Sequence, residues 1–212
     1  MLSHSRLRGL RIAGFSVFLL SLSGVLALAQ NSPLDKQVSS VLPEAQNLYL
    51  DLHQHPELSS HETRTAAELA NRLRMLGYEV TEHVGGTGVV AILKNGAGPT
   101  VMLRTELDAL PVEEKTGLPY ASKVRAKDDS GRDVGVMHAC GHDVHMAALF
   151  GTASIMAHNK DSWHGTLMLI GQPAEETITG ADRMIKTGCS RAFPNRISAL
   201  PCTTRTICLS AK

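Results

Sequence analysis

The chain has 212 residues, of which 43% are hydrophobic and 19% charged, and its formal net charge is +1. This length and composition fit an ordinary globular protein with one sizeable hydrophobic core. A net charge so close to zero argues against a nucleic-acid-binding protein, because such proteins usually carry a basic patch.

The first thirty residues differ from the rest of the chain. Arg6, Arg8 and Arg11 precede the apolar run IAGFSVFLLSLSGVLALA, in which small residues occupy positions 27 and 29. A basic segment, an apolar segment and a small-x-small site are typical of a secretory signal. We predict a signal peptide over residues 1–29 and a mature protein that is periplasmic or secreted, without stable membrane insertion. The alternative is an uncleaved membrane anchor, because the apolar run is close to spanning length.

Helices and strands are predicted to alternate after this segment. Apolar residues at helical spacing predict a helix over residues 34–54, and a second helix runs from Ser60 to Gly77. Strands are predicted at residues 78–84 and 88–94, from residue 100 and from residue 166, with a loop over 113–136. A helix is predicted from Asp143 and a short one over residues 180–188. This alternation predicts the α/β class.

Three polar clusters fall at the ends of these elements. ELD follows the strand that begins at residue 100, PAEE follows the strand from residue 166, and HACGHD comes just before a helix. Ligand sites in open α/β sheets collect at the carboxyl ends of strands. The sequence therefore predicts one site to which all three clusters contribute.

Cys140 and His142 are candidate metal ligands, because Gly141 between them permits a tight turn. A helix N-terminus and a bound metal would both favour the Cys140 thiolate. Sulfur, imidazole and carboxylate ligands suit zinc, and they tolerate manganese or cobalt. The alternative is a buried cysteine beside a histidine that caps the helix.

Glu175 and Glu176 form a pair that is costly to place at a strand end without a cation or a shared proton. If Glu176 binds a metal, Glu175 is free to act as a general base on water. The alternative is two solvated loop glutamates. Asp108 could orient a ligand, or it could simply cap a turn. For His53, in the helix exit before Pro56, we expect a surface position.

Taken together, these motifs resemble a known family. The segments LDLHQHPELSSHETRTAAELANRL, RTELDALPVEE, MHACGHDVHMA and GQPAEE occur in the order found in metal-dependent amidohydrolases. That group includes hippurate hydrolases, N-acyl-amino-acid amidohydrolases and indole-acetyl-amino-acid hydrolases, which are relatives of aminoacylases and dizinc carboxypeptidases. The resemblance covers about residues 44–187. It implies the N-terminal part of a zinc-peptidase-like αβα catalytic domain over residues 30–187.

The resemblance also implies roles for particular residues. Cys140, His142 and Glu176 would bind the metal, Glu175 would act as the acid and base, and Asp108 would support the site. The metal would be zinc or manganese, or else cobalt or nickel, with two ions in a full-length protein. The substrate would be an N-acyl or N-aroyl amino acid or a short peptide. One departure is Glu106, where the group usually has aspartate.

Residues 188–212 are interpreted as an aberrant, frameshifted tail, and the alternative is a naturally divergent tail. They lack helical or strand periodicity and carry three of the four cysteines. If one base had been lost after the codon of Lys186, the restored frame could read a family-like string with L-H-D, whose histidine codon straddles Cys202 and Thr203. We expect the family's lid or dimerisation domain to be absent. A homodimer would be possible only with that domain, and hydrolysis by this chain would be impaired.

Two other functions stay open at this point. The first is a non-catalytic metal-binding or peptide-binding fragment. The second is an exopeptidase of the dizinc type, against which Cys140 argues, because those relatives usually have aspartate at that position.

Overall fold

The computed structural model describes residues 32–187 and the strand at 197–201, so that the predicted signal peptide lies outside the described residues. The chain divides into two compact units, residues 1–40 and 41–212. The sheet and the candidate site described below belong to the second unit. Within the described part of the chain, no helix has the length and apolar character needed to cross a membrane.

Four α-helices, one short 3-10 helix (Lys160–Ser162) and seven strands make up the described fold. The helices are α1 (Pro33–Gln54), α2 (Thr63–Met75), α3 (His142–His158) and α4 (Gly180–Lys186). The strands are β1 (Glu79–Val84), β2 (Gly88–Asn95), β3 (Thr100–Glu106), β4 (Arg125–Lys127), β5 (Asp133–Gly135), β6 (Gly165–Gln172) and β7 (Ile197–Pro201).

Five of the strands form a mixed sheet in the order β1-β2-β6-β3-β7. The β1–β2 and β2–β6 pairs are antiparallel, whereas β3 runs parallel to both β6 and β7. β4 and β5 form a separate two-stranded hairpin within the predicted loop. The predicted α/β class is confirmed, with helices flanking a mixed sheet.

β7 is the main departure from the sequence-based interpretation, because it lies in the tail that showed no strand periodicity. It pairs along β3 from Thr100↔Ile197 to Arg104↔Pro201. Parallel pairing uses backbone groups, and a strand beside a covered sheet need not alternate between polar and apolar residues. Periodicity alone was therefore a poor guide to this segment.

The larger hydrophobic core lies between one face of the sheet and helices α1, α2 and α3. Alternate residues of β2 and β6 point into it, and the helices supply mainly leucines. Its buried members include Leu48, Leu52, Leu69, Leu73, Val89, Ala91, Leu149, Phe150, Leu167 and Leu169. A smaller cluster on the other face joins Val90, Met102, Met168 and Ile170 to Met184 of α4. Because both faces are covered, the middle of each central strand is apolar, as in VVAIL of β2 and LMLI of β6.

Shortening a core side chain should destabilise the fold. Leu169 is 1% exposed in β6, and Leu169→Ala should lower the free energy of unfolding by about 2–5 kcal/mol through lost burial and a residual cavity. Denaturant unfolding measures this change. The matched control is Met75→Ala at the end of α2, where the side chain is 79% exposed and a change below about 0.5 kcal/mol is expected. Equal effects for the two variants would contradict this assignment of the core.

Candidate metal centre

The candidate site lies where β3 and β6 end side by side. The two strands pair in parallel up to Glu106↔Gln172, so that the segments leaving them emerge at one edge of the sheet. Asp108 follows β3 by two residues, and Glu175 and Glu176 follow β6 by three and four residues. α3 begins at His142 and contributes the third cluster.

A tight turn presents Cys140 and His142 from the start of α3. Gly141 has φ of +77° and its N–H donates a hydrogen bond to the His138 carbonyl at 3.2 Å. Glycine suits this left-handed conformation, which other residues rarely adopt. The turn leaves Cys140 exposed and His142 buried.

The three predicted ligands come together around His142. One donor atom from each of Cys140, His142 and Glu176 lies within 4.8 Å of the others. His142 Nε2 is 3.8 Å from Glu176 Oε1 and 3.9 Å from Glu175 Oε2. Glu176 Oε1 is buried, and it has no hydrogen-bond partner in the described part of the chain. Such an atom is costly to bury unless a cation or a donor approaches it.

Asp108 contacts both of the other clusters, through His142 and through the backbone of Glu176. Its carboxylate oxygen Oδ2 accepts hydrogen bonds from Ser59 Oγ at 2.6 Å and from the Glu176 backbone N–H at 2.9 Å. Its carbonyl oxygen lies 2.7 Å from His142 Nδ1, which leaves His142 Nε2 facing the two glutamates. Asp108 therefore orients both a candidate ligand side chain and the backbone of another.

The turn that carries Glu175 and Glu176 is held by a residue that the sequence-based interpretation missed. Glu62, just before α2, is fully buried, and its carboxylate accepts hydrogen bonds from the Ala174 N–H at 2.8 Å and the Ser60 N–H at 2.7 Å. Ala174 has a positive φ of +49°, an unfavourable conformation for a residue with a Cβ. A buried carboxylate bonded to the Ala174 N–H stabilises this conformation.

A second group of possible ligands was also missed. Glu106, His142 and His145 each place a donor atom within 4.8 Å of the others, and Glu106 Oε2 is 3.3 Å from His145 Nδ1. The spacing of His142 and His145 on one helix face could have indicated this group. Glu106 also forms a 2.7 Å ion pair with Arg104. Because His142 Nδ1 faces the Asp108 carbonyl, His142 can offer only Nε2, so the two groups compete for one nitrogen.

The expected surface position of His53 is wrong. His53 is 6% exposed, and its two ring nitrogens face two carboxylates, those of Asp143 and Glu114. The sequence suggested exposure because Pro56 follows closely. In the structure, the C-terminal end of α1, which carries His53, lies against Asp143 at the start of α3. His138 is also buried, and burial lowers its pKa to about 4.

The surroundings shift the pKa values of the candidate ligands. Burial alone would lower the pKa of His142, but the hydrogen bonds to Asp108 raise it to about 9. The neighbouring Glu176 carboxylate, and then burial, raise the pKa of the Cys140 thiol to about 11. Burial alone would raise the pKa of Asp108, but His142, Ser59 and the Glu176 N–H lower it. The predicted stabilisation of the thiolate by the helix is thus outweighed by the acidic neighbours.

The chain is similar to proteins of one known family. Residues 102–202 match peptidase family M20/M25/M40. The chain belongs to this family. The M20 match begins within β3 and includes all five predicted site residues.

Two curated proteins and one solved structure illustrate the relationship. An N-acetyl-L-cysteine deacetylase of Bacillus subtilis is 46% identical over 138 residues, which are 65% of this chain and 31% of the relative. Thermostable carboxypeptidase 1 of Saccharolobus solfataricus is 48% identical over 141 residues, which are 65% of this chain and 34% of the relative. The chain thus spans about a third of the length of these curated M20 relatives.

The solved structure is a dinuclear metal-binding M20 peptidase from Bacillus subtilis. It superposes with a TM-score of 0.66 at 35% identity, covering 77% of this chain and 43% of that chain. This likeness supports the fold and the M20 assignment together. The predicted domain boundary at residue 187 stays a prediction, and the family match continues past it to residue 202.

Metal uptake should release protons. The His142 pKa of about 9 and the Cys140 pKa of about 11 mean that both groups are protonated at pH 7 before metal binds. Since only the deprotonated forms are ligands, zinc affinity should rise between pH 6 and pH 9. Calorimetry in buffers of different ionisation enthalpy counts the protons, and one to two per ion are expected. An affinity independent of pH over this range would contradict binding through these two side chains.

Proposed function

We propose that this M20 chain carries the site of a metal-dependent hydrolase that cleaves the amide bond of N-acyl or N-aroyl amino acids or of short peptides. The observation that carries the proposal is the Cys140–His142–Glu176 cluster with a second carboxylate, Glu175, 3.9 Å from His142 Nε2. A group of metal ligands beside a second carboxylate is the arrangement needed to activate water.

The donor set fits a divalent cation. Sulfur, imidazole and carboxylate donors favour zinc, and manganese, cobalt or nickel can also be held by such a set. Buried Glu176 Oε1 without a hydrogen-bond partner, in the part of the chain described, is an atom that a cation would satisfy. When bound, such an ion lowers the pKa of water toward about 7 and polarises the substrate carbonyl.

Glu175 is suited to moving the proton. Its side chain is 29% exposed, so it can reach a substrate from solvent while it stays beside His142. In the proposed reaction the Glu175 carboxylate takes a proton from water, and the oxygen of that water attacks the amide carbon. Glu175 then returns the proton to the leaving amine as the C–N bond breaks. Asp108 holds His142 and the Glu176 backbone in place during these steps.

The choice of an acylated amino acid as substrate is supported by the deacetylase relative. The carboxypeptidase relative supports a second candidate, the cleavage of peptides from the carboxyl end. A third possibility is a metal-binding fragment without turnover. The impaired hydrolysis expected of this chain stays a prediction. We also propose export of the protein, on the basis of the basic and apolar segments in residues 1–29.

Removing the Glu175 charge should separate catalysis from metal binding. Glu175→Gln should lower kcat for an N-acetyl amino acid by about 100- to 10,000-fold, because the general base is lost. Zinc affinity should change little, since the three ligands remain. Turnover with added zinc or manganese and calorimetric zinc binding are measured on the same preparation.

Glu79→Gln is the matched control for this substitution. Glu79 lies in β1 and its side chain is 77% exposed, so its loss should leave both turnover and zinc binding unchanged. Zinc binding without any turnover in the unchanged chain would favour the non-catalytic fragment. Loss of zinc binding in Glu175→Gln would instead make Glu175 a ligand.

A substrate panel should distinguish the two hydrolase candidates. N-acetyl and N-benzoyl amino acids are compared with dipeptides of the same carboxy-terminal residue that have a free amino group. For a deacylase, kcat/KM should be at least about tenfold higher for the acylated series, because a charged amine must otherwise be desolvated. Higher kcat/KM for the free dipeptides would overturn the deacylase and favour a peptidase.

A further inference from the structure

The buried ring of His53 is the most unusual feature next to the candidate site. Its Nδ1 is 2.7 Å from Asp143 Oδ2, and its Nε2 is 3.2 Å from Glu114 Oε1. The Asp143 side chain is 2% exposed and the Glu114 side chain has no exposed surface. Two carboxylates so deeply buried require a compensating cation or proton.

The groups around His53 favour the charged ring. Burial opposes the charge, but the two carboxylates outweigh burial and raise the pKa of His53 above its ordinary value of 6.5. Tyr49 and Tyr120 pack their rings against the imidazole with centroids 5.5 and 5.4 Å away. Burial raises the pKa of Tyr49 to about 12, so that this tyrosine is uncharged at neutral pH.

The buried His138 is a further titratable group whose charge would interact with that of His53. Burial lowers its pKa to about 4, and the charges of His53 and His142 contribute to that shift. His138 is therefore neutral across the neutral range. His53 is left as the group that balances the two carboxylates.

Each carboxylate that His53 holds is attached to a part of the candidate site. Asp143 directly follows His142, and its other oxygen accepts the Val144 N–H at 2.9 Å, which fixes the first turn of α3. Glu114 lies in the segment that runs from Asp108 to the hairpin, and it accepts the Ser122 N–H at 2.6 Å. His53 thus links α1 to the two segments that present His142 and Asp108.

We propose that His53 is a positioning residue for the metal centre, holding Asp143 and Glu114 so that His142 and Asp108 keep their mutual geometry. The inference rests on the proposed function for its metal readout, but its geometric part can be tested without metal. His53 does not touch the candidate ligands, and it acts on them through the two carboxylates.

The test replaces His53 with a neutral side chain. His53→Gln should weaken zinc binding by about 10- to 100-fold, the range found when groups that orient metal ligands are removed. His55→Gln is the matched control, because His55 is two residues away, its side chain is 51% exposed, and it should leave zinc affinity unchanged. Calorimetric titrations from pH 6 to pH 9 give the dissociation constants.

The pH profile separates positioning by a charged ring from simple packing. A raised pKa means that the contribution of charged His53 is complete below pH 6.5 and is lost as pH rises through the higher folded value. The ratio of dissociation constants between His53→Gln and the unchanged chain should therefore be largest near pH 6 and shrink toward pH 9. Deprotonation of the ligands affects both chains and cancels in this ratio. A ratio within twofold of one, or a ratio independent of pH, would overturn the proposal.

Two measurements keep the test decisive if zinc does not bind or if the variant does not fold. In the metal-free chain, hydrogen exchange at the Val144 and Glu176 amides should be at least about tenfold faster in His53→Gln. The Val144 amide is held by Asp143, which His53 contacts, and the Glu176 amide is held by Asp108, at the start of the segment that carries Glu114. Unchanged exchange would overturn positioning. In the unchanged chain, a nuclear magnetic resonance titration should show the His53 ring with a pKa above its ordinary value of 6.5, and a pKa at or below that value would overturn the inference.

Failure of this proposal can be told from failure of the proposed function. If the unchanged chain binds no zinc, the proposed metal centre is contradicted. The exchange and protonation measurements still decide the role of His53. If zinc binds with the same affinity in His53→Gln, only the positioning role falls. A double variant with Asp143→Asn adds a check, since the two substitutions should not be additive if they act through one contact.

Discussion

The parallel pairing of β3 with β6 is the constraint on which the candidate site depends. The two strands keep one register from Thr100↔Thr166 to Glu106↔Gln172, and they end at the same edge. Residues 68 positions apart, such as Asp108 and Glu176, thereby come within hydrogen-bond distance. Parallel strands must be joined by a long crossover, and here that crossover contains the hairpin and α3. The pairing thus also determines where His142 enters the site.

The site concentrates buried charge in a way that only paired groups make tolerable. Glu62, Glu106, Asp108 and Asp143 are each 1% exposed or less. Each of these carboxylates has a partner. Glu62 accepts hydrogen bonds from backbone amides and Asp108 accepts one from Ser59, whereas Glu106 pairs with Arg104 and Asp143 pairs with His53. Such groups add little to stability in comparison with apolar packing. Their value lies in orientation, because a carboxylate with fixed donors holds the backbone to which those donors belong.

The histidines of the chain show how one residue type serves different purposes according to its surroundings. His142 presents one nitrogen toward the glutamates because Asp108 takes the other. His53 engages both nitrogens with carboxylates, and buried His138 has none engaged in the part of the chain described. The two ligand groups compete for His142 Nε2 because the other ring nitrogen of His142 is engaged by the Asp108 carbonyl. If Cys140, His142 and Glu176 hold a metal, Glu106 keeps its contacts with His145 and Arg104.

The sequence by itself determined most of the local structure and the main chemical components of the site. The alternation of elements, the turn at Gly141 and the clusters around Asp108, Cys140, His142 and Glu175–Glu176 were all readable, because each depends on residues close together in the chain. The α/β class followed from the same local signals. β7 was not readable, because a strand that pairs through its backbone beside a covered sheet needs no periodic pattern.

The tertiary structure alone decided which distant side chains neutralise one another. His53 was expected at the surface, yet it lies against Asp143, which is 90 residues away in the chain. No role was predicted for Glu62, yet it holds the Ala174 amide, which is 112 residues away. No local pattern encodes such contacts, because a buried charge is acceptable only where the fold brings a partner to it. The motifs could therefore be identified in the sequence, whereas the groups that support them could be identified only in the tertiary structure.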